Sequence, residues 1–287
     1  MKLHFMKHRK LSYWVSGALV ALSVFFLATK GLNYGIDFAG GISMEVAPKS
    51  ADYTIDKIRA DLVNYSPELQ NITETKTILV RIGLKKGSDE IVQNKAVADI
   101  KDILGNKVDY RQIQIVGPKI GGELIRGGIL AILFSFMLMS IYIWIRYKGG
   151  YAIGSLVSLI LDFVLMFGFF SLVGLEFNQN AIAVILMGIG YSVNDKVVNY
   201  DRIEENAKRY HSMPQTELID LSVNEMFRRT MMTSLSVFLT MFALYLFSGD
   251  ILREFSLAMM FCIVMGTLTS IYISNVVLYH FNLRDSK

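Results

Sequence analysis

Charge is scarce in this chain. Asp, Glu, Lys and Arg make up 19% of it and hydrophobic residues 53%, whereas a typical soluble domain is about 25% charged. That deficit excludes an ordinary soluble enzyme. Cysteine is nearly absent as well: Cys262 stands alone in an apolar run, so no intrachain disulfide can form. Only four prolines and no low-complexity tract argue against long disordered linkers. A net charge of +4, dispersed along the chain, excludes the basic footprint of nucleic-acid binding. Nor do His, Cys or paired carboxylates cluster anywhere in the charged region, so nothing suggests a metal centre, a cofactor or catalysis.

What charge there is lies unevenly. Residues 29–123 hold 13 acidic and 13 basic side chains, nearly half of the total in a third of the length. The remainder is apolar and long-running. A helix crossing about 30 Å of hydrocarbon needs roughly 20 apolar residues, and six windows qualify: about 11–28, 124–145, 151–175, 180–200, 229–247 and 255–281. The first follows the basic cluster Lys7, Arg9, Lys10 and lacks a small-residue cleavage signal, so it reads as a retained anchor. The expected fold is a polytopic α-helical membrane protein of six transmembrane helices, with one soluble insertion. Its parts are residues 1–28 (N-terminus and first helix), 29–123 (insertion) and 124–287 (helices two to six, with a polar loop at 201–228).

Orientation follows from basic residues in short loops. With the N-terminus in the cytoplasm, 13 Lys and Arg fall on cytoplasmic segments, among them Arg146, Lys148, Arg202, Arg228, Arg284 and Lys287. The two short loops opposite carry Arg253 alone. Both termini are therefore expected in the cytoplasm, with residues 29–123 outside. Within the insertion, 42–46, 77–82 and 108–116 alternate as strands do, and 55–63 and 91–104 have helical spacing. This order predicts a small α+β domain of the ferredoxin-like type with one further strand to be found, suited to binding or leverage.

Ionisable residues inside the spans carry the functional argument, because a charge at a helix centre costs roughly 2.5–3.5 kcal/mol on insertion scales. Asp195 shares one helical face with Gly188, Ser192 and Asn199. Asp162 lies in the third span with Ser155 and Ser158. Arg229, Thr233, Ser236 and Thr240 form a stripe in the fifth, and Thr267, Ser270 and Ser274 one in the sixth. Such stripes are commonly packing devices. An Asp and an Arg with hydroxyls on facing spans is also what a proton relay requires, and Asp195, Arg229 and Asp162 are its candidate members. The alternative is a structural Asp195–Arg229 pair.

Several motifs in sequence order resemble the SecD/SecF proteins over essentially the whole chain. Gly35-Ile36-Asp37-Phe38-Ala39-Gly40-Gly41 resembles their Asp-Phe-x-Gly-Gly signature. Val116-Gly117-Pro118 through Glu123-Leu124 matches Val-Gly-Pro…Gly-x-Glu-Leu. Residues 188–206 are similar to GYSxNDTVVVFDRIREN, Arg229-Thr230 with Thr233-Ser234 to RT-xx-TS, and Gly266-Thr267 through Ser270-Ile271 to a late Gly-Thr-x-Ser-Ser-Ile. The insertion's length fits the SecF branch. Several positions depart from the pattern: Lys196 replaces Thr, Asn199-Tyr200 replaces Val-Phe, Leu161 replaces a His before Asp162, and Arg228 replaces a common Ser. Lying about 100° round the helix from Asp195, Lys196 is expected to point away.

The resemblance implies a fold of the resistance-nodulation-division type and a place in the bacterial inner membrane. It implies pairing with SecD, association with the SecYEG channel and YajC, and use of the proton gradient to assist preprotein translocation and release. Asp195 and Arg229 fall in motifs holding the family's proton-pathway residues, and Asp37, Gly40 and Gly41 in the motif joining the first span to the outer domain. Two rival readings stay open: a scaffold that stabilises its partners without ion transport, and half of a small-molecule or lipid exporter.

Overall fold

The computed structural model describes residues 4–50, 52–72, 77–83, 90–147 and 149–281. Lys148, Arg284 and Lys287, counted in the orientation argument, lie outside them. After a short turn at Met6–His8 the chain runs through α1 (Arg9–Thr29), β1 (Asn33–Tyr34), the single turn α2 (Ile36–Ala39), β2 (Gly41–Pro48), α3 (Ile55–Asp61), β3 (Glu68–Ile72), β4 (Thr77–Gly83), α4 (Glu90–Leu104) and β5 (Val108–Val116). Then follow α5 (Pro118–Arg146), α6 (Gly150–Val173), β6 (Glu176–Phe177), α7 (Gln179–Arg209), α8 (Gln215–Phe247) and α9 (Asp250–Leu268). A π-helical turn over Thr269–Ile273 leads into α10 (Ser274–Leu278). Among the described residues six helices are long and apolar enough to span a membrane, the last comprising α9, the π turn and α10.

The insertion folds as the alternation predicts. Its four strands form one antiparallel sheet in the order β3-β4-β2-β5, the ferredoxin-like arrangement, and β3 is the strand the sequence pattern left out. One sheet face carries Ile42, Met44, Val46, Val80 and Ile82, which close against Ile58, Leu62, Ile100 and Leu104 of α3 and α4. Period-two alternation puts Ser43, Glu45, Arg81, Gln112 and Gln114 on the opposite face. That polar face, with Asp37, Glu176, Asn178 and Glu254, lines a cleft of about 300 Å³ between the domain and the helix ends.

Two features differ from the sequence expectation in the membrane part. The polar stretch at 201–228 is mostly helical: α7 runs on to Arg209 and α8 begins at Gln215, with a turn between them. Both extensions are rich in good helix formers and are tied by Arg202 to Glu225 at 2.7 Å, Lys208 to Glu204 at 2.7 Å and Asn206 to Ser222 at 2.9 Å. At the other boundary α5 starts at Pro118, before the apolar run, because proline is preorganised for a first helical turn.

Packing is uneven across the bundle. α6, α7 and the α9–α10 span form its buried centre, while α1, α5 and α8 present large apolar side chains such as Trp14, Leu133, Trp144 and Phe247 outward. Close approach of α7 to α9 depends on Gly188, where an added Cβ would meet the Cys262 side chain.

Candidate functional site

The site lies where α6, α7 and the last span meet, well inside their length, and three mechanisms place its side chains. α7 turns a broad face inward: Ser192, Asp195, Lys196 and Asn199 are all buried. α6 contributes Asp162 from its buried side. The π turn widens the last span, and Thr267, Thr269 and Ser270 are all buried there. Such turns are rare and recur at functional positions. Asn275 Nδ2 donates to the Ile271 carbonyl at 2.7 Å, which satisfies backbone the widened turn disturbs.

These groups form two separate networks. In the first, Asp162 is fully engaged. Its Oδ2 accepts from Lys196 Nζ at 2.6 Å and from Ser192 Oγ at 2.7 Å, and its Oδ1 from Thr269 Oγ1 at 2.5 Å. The Lys196 side chain has no solvent exposure at all. Lys196 turns to α6, where it is the direct counter-charge of Asp162. Burying such a pair costs desolvation that attraction repays only with further hydrogen bonds, and here Ser192 and Thr269 supply them.

The second network belongs to Asp195. Thr267 Oγ1 donates to Asp195 Oδ2 at 3.5 Å, Thr267 lies 2.8 Å from Ser234 Oγ, and Tyr191 Oη donates to Ser234 at 3.2 Å. A line of three hydroxyls thus runs from a half-buried tyrosine on α7 to a buried carboxylate. Hydroxyls both donate and accept, so such a line can pass a proton without moving backbone. Asn199 Nδ2 donates to Ser270 Oγ at 3.1 Å one turn further along.

The fifth-span stripe is differently placed. Arg229, Thr233, Ser236 and Thr240 lie on the exposed side of α8, with the Thr233 and Ser236 hydroxyls turned back on carbonyls of their own helix. The inward residues are Thr230 and Ser234. Their i, i+4 spacing told which residues share a face, not which way it turns. Among the described residues no ion pair joins Arg229 to Asp195, although its charge is near enough to be felt there. The structural Asp195–Arg229 pair is therefore not formed. Lys196, Thr267, Thr269 and Ser234 stand outside the three named relay members; Thr267 lies on the sixth-span stripe and Ser234 in the RT-xx-TS motif, while Thr269 had only its polarity within an apolar run as a signal.

The joint between domain and bundle is equally defined. Gly40 adopts φ +77°, ending α2 in a turn that side chains resist. At Gly41 a Cβ would lie 2.6 Å from the Ile82 carbonyl oxygen of the neighbouring strand, so only glycine fits. Asp37 Oδ2 accepts from the Gln179 amide at 3.4 Å, at the first turn of α7, where a helix dipole favours an anion. β1 pairs in parallel with β6, and Arg81 on the sheet forms an ion pair with Glu176 of β6. The domain is thereby fastened to the start of the helix that carries Asp195 and Lys196.

Two family models match. That of the protein export membrane protein SecD/SecF C-terminal domain covers residues 96–284, and that of the SecD/SecF GG motif covers residues 25–51. The chain is 39% identical over 282 residues to the protein translocase subunit SecF of Rickettsia felis, covering 96% of this chain and 91% of that protein. It is 40% identical over 284 residues to the subunit of the same name from Rickettsia conorii, with the same coverage. Among solved structures it resembles SecDF, a translocon-associated membrane protein from Thermus thermophilus, with a TM-score of 0.82 at 30% identity over 96% of this chain. It spans only 38% of that longer chain. A SecDF structure in a super-membrane-facing form gives a TM-score of 0.73 at 30% identity.

Proposed function

Since the chain belongs to the SecD/SecF family of protein-export membrane proteins, we propose that it is the SecF-type subunit of a Sec translocase, pairing with a SecD-type partner and using the proton gradient to assist preprotein translocation. The single observation that carries this reading is mechanical. One uninterrupted helix, α7, begins at the Asp37 contact and holds Asp195 16 residues on, about 24 Å away at 1.5 Å per residue. Loading or unloading a proton at Asp195 alters the packing of α7 against α9, and the fastening at Asp37 and Arg81–Glu176 carries that change to the outer domain.

Asp195 is the carrier and Asp162 is not. Asp162 is saturated by three donors, one of them cationic. Asp195 has a long bond from Thr267 and lies at the end of the hydroxyl line that leads through Ser234. One proton moving down about 100 mV yields about 2.3 kcal/mol, enough to bias two packings separated by a few kcal/mol. No covalent chemistry is involved.

The exposed stripe of Arg229, Thr233, Ser236 and Thr240 is the side of α8 offered to the SecD-type partner. A guanidinium left against lipid costs several kcal/mol, whereas a partner helix supplies it with an acceptor and lets its charge act on Asp195. In the cell the assembly sits in the inner membrane beside the SecYEG channel, with YajC as a further component, the α+β domain in the periplasm and both termini in the cytoplasm.

The test is export of a preprotein into membrane vesicles with and without a proton gradient. Asp195→Asn should abolish the gradient-dependent part of transport while leaving the part seen without a gradient, and the level of the complex, unchanged. Gradient-dependent export at the wild-type rate would favour the scaffold reading instead.

A further inference from the structure

The Lys196 ammonium lies in a nest where two oxygens meet it directly and two more stand behind them. Its Nζ is 2.6 Å from Asp162 Oδ2 and 2.5 Å from Ser192 Oγ. Behind these stand Thr269 Oγ1, bonded to Asp162 Oδ1 at 2.5 Å, and the Gly266 carbonyl oxygen, 3.1 Å from Thr269 Oγ1 and 3.5 Å from Ser192 Oγ. A carboxylate, two hydroxyls and a main-chain carbonyl beside an irregular helical turn are the donor set that a hard monovalent cation takes at mid-membrane. The nest is built by three helical segments, and all four contributing residues are buried or at the helix contact.

An ordinary structural ion pair needs only a carboxylate and an ammonium. Here the carboxylate is also held by two hydroxyls, so that both of its oxygens are oriented before the ammonium arrives. We propose that Lys196 is a tethered cation: its ammonium permanently fills a monovalent-cation site built from Asp162, Ser192, Thr269 and the Gly266 carbonyl, and so excludes Na⁺ from it. The chain carries its own positive charge where the same oxygens would otherwise gather a mobile ion. One consequence is that coupling needs no Na⁺ and passes through Asp195 alone. That consequence rests on the relay proposed above; occupancy of the nest does not.

The test is thermal unfolding of the purified complex in NaCl and in choline chloride at equal ionic strength. Wild type should melt at the same temperature in both. Lys196→Ala, which vacates the nest, should melt about 3 °C or more higher in NaCl, and the difference should vanish in Asp162→Asn/Lys196→Ala. Lys196→Met, which keeps the volume filled, should show no such difference. Na⁺-dependent melting of the wild type or of Lys196→Met would overturn the proposal, as would a Lys196→Ala protein indifferent to Na⁺ or unable to fold in either salt. The readout is ion binding, so it stands or fails separately from the export assay on Asp195→Asn.

Discussion

Two carboxylates one helix apart have opposite surroundings, and that contrast sets what each residue does. Asp162 is locked by an ammonium and two hydroxyls. Removing the ammonium alone, as in Lys196→Met, strands a buried charge and should cost about 3–5 kcal/mol. Lys196→Met/Asp162→Asn should cost clearly less than the two single changes added together, which a double-mutant cycle on chemical unfolding would measure. The Asp195 network is slack by comparison. Thr267→Val or Ser234→Ala interrupts the hydroxyl line and should slow gradient-driven export severalfold while changing stability by only about 1 kcal/mol. Equal losses of stability and rate would mark these hydroxyls as packing. Asp195 was legible in the sequence because a charge in an apolar run is conspicuous. The pairing of Lys196 with Asp162 was not, because spacing along α7 does not say which side chain of α6 it meets, and α7 buries Ser192, Asp195, Lys196 and Asn199 together.

At the scale of elements, strands and spans follow the pattern of apolar residues closely, since alternation and long apolar runs are direct images of burial. Several elements escaped it for identifiable reasons. β3 is an edge strand whose sequence, Glu68 to Ile72, mixes charge and amide. The α7 and α8 extensions are polar helices held by side-chain pairs, and hydropathy does not report these. The π turn depends on how Asn275 and Thr269 bond backbone, which no periodicity encodes. Gly41→Ala tests the tight β2–β4 contact: its Cβ would press on the Ile82 carbonyl. It should destabilise the domain by roughly 1–3 kcal/mol, seen as a lower unfolding midpoint.

The outer domain also carries a pH-dependent fastening. Lys107 Nζ donates to Asp61 at 2.8 Å and Tyr53 Oη at 2.5 Å, and the Lys107 bond, then that of Tyr53, hold the Asp61 carboxyl below its usual range. Because the folded form holds the proton less tightly than the unfolded one, the contribution is present at neutral pH. It fades as pH falls through the folded value. The pair is largely exposed, so its worth is below about 1 kcal/mol. Wild type should exceed Asp61→Asn in thermal stability at pH 7, with the gap closing in acid.

For the whole molecule, the sequence placed the joint at Asp37, Gly40 and Gly41, yet the partners of that joint come from 140 residues further on. Neither the β1–β6 pair nor the Arg81–Glu176 ion pair follows from local pattern, because each is a long-range match of short segments. Glu176→Gln would loosen the fastening without touching the proton site. Gradient-dependent export should fall while proton binding at Asp195 persists. The central claim is that protonation of Asp195 moves the α+β domain relative to the bundle. Spin labels at Asp102 on α4 and Leu246 on α8, both exposed, report that distance directly, and the native Cys262 is buried away from the reagent. With a partner present and a proton gradient imposed, the distance distribution should shift in wild type and stay fixed in Asp195→Asn. An identical shift in both proteins, or none in wild type, would contradict it.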